Sequence, residues 1–402
     1  MEKFVCKHPW SHLEINNPNG DVTMCCNNGW VLGNVNKNTV EEIWNGEGFR
    51  AARVLMLREG AHGMCPHTCP VLQGGKRYED MSWYTDLDPQ SPVRRNAELN
   101  EDEFAAGVIE LKSKPRWFRF TYSYACNLDC YHCYQREDAT AHRKLPDGFM
   151  TELPTYARIA QIFFPFGGEP FFFAPIRDLL NKLAGKIEGK FFFITNGTLL
   201  TNQIYEMFEA SNIATITVSL DAATAHSFAE LRLRGRNASW DTVLGNLKKL
   251  QALKRRKGFT FTVSMTVNKV NAREIEEFVD LATSHDAEPI LLLVANPYQT
   301  NSFQRQYLTF SQDDIAEMLK QVDRSIVKVR DHQLLGSETH LHHLRATILQ
   351  HRIVNNRPML FKVKNTARKM LRKLPDPLRG IVGKWVQDFR ARQLESLGTK
   401  DS

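Results

Sequence analysis

The chain has 402 residues, 42% of them hydrophobic, with 52 Lys and Arg against 45 Asp and Glu and a net charge of +7. That length holds two or three domains, or one large α/β domain with an attachment. No apolar run approaches the roughly 20 residues of a membrane span, which excludes a spanning helix. The opening "MEKFVCKHPW" has no charged-then-apolar leader, and eight cysteines in tight clusters suit metal thiolates better than a disulfide framework, so a cytoplasmic protein is expected. The charge is a property of the tail: residues 351–392 hold 12 Lys and Arg and only two acids, Asp376 and Asp388, leaving a mildly acidic body for which no nucleic-acid partner is expected.

In chain order, residues 1–75 hold Cys6, Cys25, Cys26, Cys65 and Cys69, and between them Thr39 followed by Glu42 reads as a capping box that starts a helix near residue 40. Residues 76–114 are polar and read as a linker. From 115 onward short apolar runs alternate with helical patterns. The runs 117–123, 162–166, 190–196, 215–220, 261–267 and 290–296 are rich in aromatic or β-branched residues, as strands buried on both faces are. Asn271 with Glu274, and Ser311 with Asp314, read as helix starts. Strands alternating with helices predict a parallel sheet, open or curled into a partial barrel, with its chemistry on the rim where strands end. Residues 331–402 read as a basic helical C-terminal region. In it Leu378, Ile381, Val382, Trp385, Val386 and Phe389 recur at helical spacing among Arg and Lys, a pattern that fits an anionic membrane surface, an acidic partner or a helix packed on the barrel.

The loop after the first of these strands is "ACNLDCYHCYQ", which packs Cys126, Cys130 and Cys133 together. Three thiolates on one tight loop hold three irons of a cubane cluster and leave the fourth open, whereas a zinc ion needs a fourth ligand, here His132 or a distant residue. The next strand ends carry "GGEP" (Gly167 to Pro170), "TNGT" (Thr195 to Thr198) and "SLD" (Ser219 to Asp221).

The C-x3-C-x2-C loop in its "CNLxCxHCY" setting, followed by GGEP, resembles the radical S-adenosylmethionine (SAM) superfamily over about residues 115–300. The resemblance implies a partial (β/α)6 TIM-like barrel in which Cys126, Cys130 and Cys133 bind a 4Fe–4S cluster whose open iron takes SAM. It places Gly167, Gly168 and Glu169 against the methionine amino group and Asn196 and Ser219 on the ribose and carboxylate side. It places Tyr131 and His132 near the cluster or adenine, and Arg232 or Arg234 at the SAM carboxylate. It also implies reductive cleavage of SAM to a 5′-deoxyadenosyl radical, with an electron donor such as flavodoxin or ferredoxin. Cys6, then Gly20, then four residues and Cys25, with "GNVNKNTVEEIWNGEGFRAAR" behind them, resembles the SPASM/twitch extension of the same enzymes. It differs in preceding the barrel and in having five cysteines rather than seven. One auxiliary 4Fe–4S cluster on Cys6, Cys25, Cys65 and Cys69 is implied, against the alternative of a zinc knuckle. Cys26 is left as a hydrogen-atom donor, an ordinary buried thiol or an alternative ligand. The expected substrate is a peptide that is oxidised, cross-linked or epimerised. The alternatives are a sugar-like or lipid-linked small molecule and, more remotely, a non-catalytic zinc protein that binds nucleic acid.

Overall fold

A computed structural model describes residues 4–66, 69, 71–72, 81–136, 138, 142–233, 236–293 and 310–356. Three short strands come first: β1 (His12–Ile15), β2 (Asp21–Thr23) and β3 (Gly33–Asn34). Six more alternate with helices: β4 (Trp117–Thr121), β5 (Ile162–Phe166), β6 (Lys190–Thr195), β7 (Ile213–Ser219), β8 (Thr260–Val267) and β9 (Glu288–Leu293). All nine lie in one sheet in the order β3-β2-β1-β4-β5-β6-β7-β8-β9. β4 to β9 pair in parallel and in sequence order, the partial (β/α)6 barrel that strands alternating with helices produce.

The cysteine-rich N-terminal segment extends this sheet. β1 pairs in parallel with β4, and β2 and β3 add antiparallel strands outside it. Trp10, Leu13, Ile15, Trp44 and Phe49 are buried in the same continuous apolar core as β4 to β9.

Side-chain alternation sorts the sheet into two faces. Phe118, Phe120, Phe163, Phe191 and Phe193 face the helices, with Phe118 stacked on Tyr156 at 5.2 Å and Phe193 against Phe208 at 5.3 Å. The inner face is aromatic on β4 to β6, where Trp117, Phe164 and Phe192 meet, and turns hydroxyl-rich on β7 and β8, where Thr217 bonds Thr262 at 2.7 Å. β5 pairs with β6 only as far as Phe163. Pro165, which has no N–H to give, follows within the same strand, and the two strand ends are left unpaired with each other at the rim.

Four expectations change. The strand expected over 117–123 stops at Thr121. The strand expected over 290–296 starts at Glu288 and is described to Leu293. Asn271 does not cap the following helix, which begins at Ile275; its buried side chain instead binds Asn268 N and the carbonyls of Asp221 and Thr266. Within the presumed linker, Pro92–Ala105 is a helix capped by Ser91, burying Val93, Ala97, Asn100 and Glu103. Its buried face is half polar because Asn100 binds Trp10 O at 2.7 Å and Glu103 accepts from Ser113 Oγ at 2.5 Å, so the segment reads as solvated in the sequence. The capping boxes at Thr39 and Ser311 form as expected. Arg234 and the basic stretch from 357 onward lie outside the described residues, and no described helix is long and apolar enough to cross a membrane.

Candidate active site

β4 delivers the chain into the cysteine loop at the C-terminal rim. Cys126 Sγ accepts from Leu128 N at 3.4 Å and from Asn196 Nδ2 at 3.7 Å, while Cys133 N donates to Cys130 O at 3.2 Å. All three cysteines are half-buried and form no disulfide. Burial pushes the Cys126 thiol up to about 12 against a Leu128 hydrogen bond that lowers it, and raises Cys130 as well. Both sites therefore hold neutral thiols until a metal displaces the proton.

The GGEP turn after β5 wraps this loop. Gly167 and Gly168 have φ of +94° and +55°, and a Cβ on Gly168 would run into Ala125 O. Glu169 N donates to Ala125 O at 2.9 Å, and Gly168 N donates to Gln135 Oε1 at 2.9 Å. Glu169 then crosses the gap between β5 and β6. Its carboxylate accepts from Asn196 N at 2.7 Å and Thr195 Oγ1 at 2.9 Å. Burial pushes it up to about 7, against these hydrogen bonds, which favour the ionised form. Asn196 in turn donates to Asn127 Oδ1 at 2.9 Å, so the ends of β5 and β6 and the cysteine loop are locked into one unit.

The β7 end adds Ser219, half-exposed and 3.5 Å from Ser264, and then Asp221. Asp221 is buried, yet Oδ2 meets His132 Nε2 at 2.9 Å and pairs with Arg232 Nη1. Burial opposes its ionisation, but His132 and Arg232 together hold its carboxyl well below the usual carboxylate range. Tyr131, half-exposed, anchors the loop by donating its N–H to Leu231 O at 2.8 Å. His132 thus gives Nε2 to Asp221.

In the N-terminal segment Cys6, Cys25 and Cys69 are buried, Cys65 is half-buried and Cys26 is exposed. Burial raises the Cys65 thiol, and the charges of Cys6 and Cys69 raise it further. Cys25 is held through Thr23, whose hydroxyl reaches Cys25 O at 3.2 Å and Glu14 O at 3.4 Å. The reading of Cys26 as a buried thiol is corrected by its exposure, since it follows β2 on a turn that points away from the core.

A sequence profile of the radical SAM superfamily matches residues 120–282, and one for an iron–sulfur cluster-binding domain, SPASM, matches residues 6–70. The chain belongs to the radical SAM superfamily. This radical SAM protein is similar to the AdoMet-dependent heme synthase of Methanosarcina barkeri, 29% identical over 183 residues that cover 44% of this chain and 49% of that protein. It is also similar to the mycofactocin maturase MftC of Mycolicibacterium smegmatis, 28% identical over 168 residues, 41% of each chain. The chain spans about half or less of the length of these curated relatives. Among solved structures it is similar to Streptococcus suis SuiB bound to S-adenosylmethionine, with 18% identity and a TM-score of 0.41 over 72% of this chain and 63% of that one. A second is anSMEcpe with bound AdoMet, with 17% identity and a TM-score of 0.38 over 52% and 60%.

Among the described residues no three metal-ligating side chains are gathered as they stand; the donor chemistry, three thiols on one short loop, suits a cubane with one open iron, and Arg232 keeps a buried Nε with no hydrogen-bond partner. Gly167, Gly168, Glu169, Asn196 and Ser219 share that rim with the three cysteines. Sequence reasoning did not assign Asp221, Asn127 or Gln135. Asp221 carried a signal, its place at a strand end in "SLD", but Asn127 and Gln135 act through side-chain bonds to residues distant in the chain, which spacing does not show.

Proposed function

We propose that the protein is a radical SAM enzyme that removes a hydrogen atom from a peptide and leaves it oxidised, cross-linked or epimerised. With a reduced 4Fe–4S cluster on Cys126, Cys130 and Cys133, SAM supplies a 5′-deoxyadenosyl radical for that step. The observation that carries the reading is the convergence of the cysteine loop, the Gly167–Glu169 strip, Asn196 and Ser219 on one rim. The chain's own work there is binding and exclusion. Glu169 becomes ionised when it meets the ammonium group of SAM, because a cation offsets the burial that otherwise keeps its proton on. Asn196 orients Cys126 and the ribose side of the pocket, and Tyr131 covers the loop.

Peptide substrates are supported by the similarity to a maturase and by the shape of the inner face. Phe166, Ile194, Ser219, Ser264, Thr266 and Ile290 stay half-exposed along it, an open groove of apolar and hydroxyl groups suited to an extended chain. Cys6, Cys25, Cys65 and Cys69 would hold an auxiliary cluster, which would supply an electron acceptor for the substrate radical, and Cys26, exposed next to Cys25, would be the hydrogen donor. The hydroxyls of β7 and β8 also suit a second reading, a compact sugar-like or lipid-linked molecule.

Anaerobic reconstitution tests the class. The full chain is expected to hold about eight irons with matching sulfide and, once reduced with dithionite, to release 5′-deoxyadenosine from SAM. A Cys126→Ala chain that still releases it overturns the proposal. Co-expression with a short open reading frame beside the gene distinguishes the substrates: a mass change in that peptide supports the first reading, and an unchanged peptide favours the second.

A further inference from the structure

Asp221 lies two residues beyond β7 with φ of +58°, a left-handed conformation that non-glycine residues seldom adopt. Four contacts hold it there. Thr266 N donates to Oδ1 at 2.6 Å, His132 Nε2 meets Oδ2 at 2.9 Å, Arg232 Nη1 pairs with Oδ2, and Asn271 Nδ2 donates to the Asp221 carbonyl at 2.8 Å. Its partner Arg232 sits on a π-helical turn, Ala229–Leu233, a local irregularity that recurs at functional sites. The same turn receives Tyr131 N at Leu231 O, so the cysteine loop and the arginine are anchored to one place.

Arg232 is 5% exposed and spends Nη1 on Asp221, but its Nε is buried without a hydrogen-bond partner. A buried N–H left unmet is costly to the fold. A guanidinium held at Nη1 keeps its Nε side for a second acceptor, and that side takes a carboxylate through two parallel hydrogen bonds. Arg232 is joined to the cysteine loop through Asp221, which also holds His132, between Cys130 and Cys133.

We propose that Asp221 is a positioning residue for SAM: it fixes Arg232, rather than Arg234, with its Nε side towards the SAM carboxylate, and through His132 it holds the cysteine loop in register with that side. The inference rests on the reading of this rim as the SAM site. It links two parts of the cofactor pocket that lie 89 or more positions apart in the chain. Loss of the Asp221 charge therefore acts on SAM binding before it acts on cluster assembly.

The test uses the full chain, reconstituted anaerobically, as wild type, Asp221→Asn, Arg232→Lys and the double variant. Iron content, the thermal melt, the SAM dissociation constant and the electron paramagnetic resonance spectrum of the reduced cluster with and without SAM are measured. Asp221→Asn keeps the size and one acceptor for Thr266 N, and Arg232→Lys keeps the charge but lacks the Nε side. Each single variant is expected to retain its iron, to bind SAM about tenfold more weakly and to lose part of the spectral change that SAM produces. The double variant is expected to lose little more than the weaker single one, since both act through one contact. Wild-type SAM affinity in either single variant overturns the proposal, as does a double loss equal to the product of the two. An Asp221→Asn chain that keeps its thermal melt but not its cluster also overturns the proposal, which puts the effect on SAM binding ahead of cluster assembly. A wild-type chain that holds its cluster and binds no SAM sinks the proposed function, a different result from two variants that match a binding wild type.

Discussion

Glu169 is 1% exposed and surrounded by donors, yet burial keeps its proton on until about pH 7, from an ordinary value of 4.5. The sign of its effect on stability follows. As pH rises past 4.5 the unfolded chain ionises Glu169 while the native chain does not, so the unfolded state gains and stability falls up to about pH 7. In the protein without cluster or SAM, Glu169→Gln removes this penalty. Between pH 5 and pH 8 the wild type is expected to lose about 2 kcal/mol relative to the glutamine variant, read by urea unfolding at each pH. Parallel pH profiles for the two would mean that native Glu169 is already ionised. Gly168 makes a second residue-scale case. Its φ of +55° and the approach of Ala125 O leave no room for a Cβ, so Gly168→Ala must push the cysteine loop outward. It is expected to lower iron bound at the Cys126 site by half or more while the thermal melt of the apoprotein shifts by only about 1–2 kcal/mol. Unchanged iron in that variant would show that the loop tolerates displacement. Both glycines and Glu169 were legible in the sequence because a strand end with paired glycines announces close backbone approach. The rotation of His132 towards Asp221 was not, since its partner is distant in the chain and only the fold brings the two together.

Strands were the most legible elements, because a buried parallel strand is a short unbroken apolar run. The helix Pro92–Ala105 was missed because its buried positions are Asn100 and Glu103 as well as Val93 and Ala97, so no apolar stripe marks it. β1 was missed for a related reason. "HLEI" places Glu14 in a strand whose four residues are all buried, and the acid is accounted for only by Arg119 on β4. The parallel register puts Glu14 beside Arg119, where they pair at 3.0 Å with little exposure, and Arg119 also binds Asn16 Oδ1 at 2.7 Å and lies 4.2 Å from the Phe166 ring. Removing one partner of such a pair leaves a buried charge unmet and costs about 3–5 kcal/mol, whereas replacing both with apolar groups of similar size costs far less. Glu14→Leu and Arg119→Met are each expected to be strongly destabilising, and the double variant to recover most of the loss, as measured by chemical denaturation of the apoprotein. Additive losses would mean that water, rather than Glu14, satisfies Arg119.

For the whole molecule, the seam between β1 and β4 decides what counts as a domain. The sequence marks residues 1–75 off by their cysteines, and a cluster-binding profile matches 6–70, but packing does not respect that boundary. Arg53, 0% exposed, donates to Pro9 O at 2.9 Å, Trp44 O at 2.8 Å and Ile109 O at 2.8 Å, fastening the N-terminal segment to the approach to β4. Trp44 Nε1 reaches Ser113 O at 2.8 Å, and His12 stacks on Trp117 with ring centres 5.3 Å apart. A chain that starts at residue 76 would leave β4 as an open, aromatic edge strand with Arg119 unpaired, an arrangement that favours aggregation. The 76–402 chain is expected to be insoluble, or to lack the protease resistance of the full chain over 115–293. The full apoprotein is expected to unfold in one cooperative transition followed equally by tryptophan fluorescence and circular dichroism, since its tryptophans sit on both sides of the seam. A soluble 76–402 chain that resists protease and binds the Cys126 cluster would show instead that the barrel folds alone and that β1 docks afterwards.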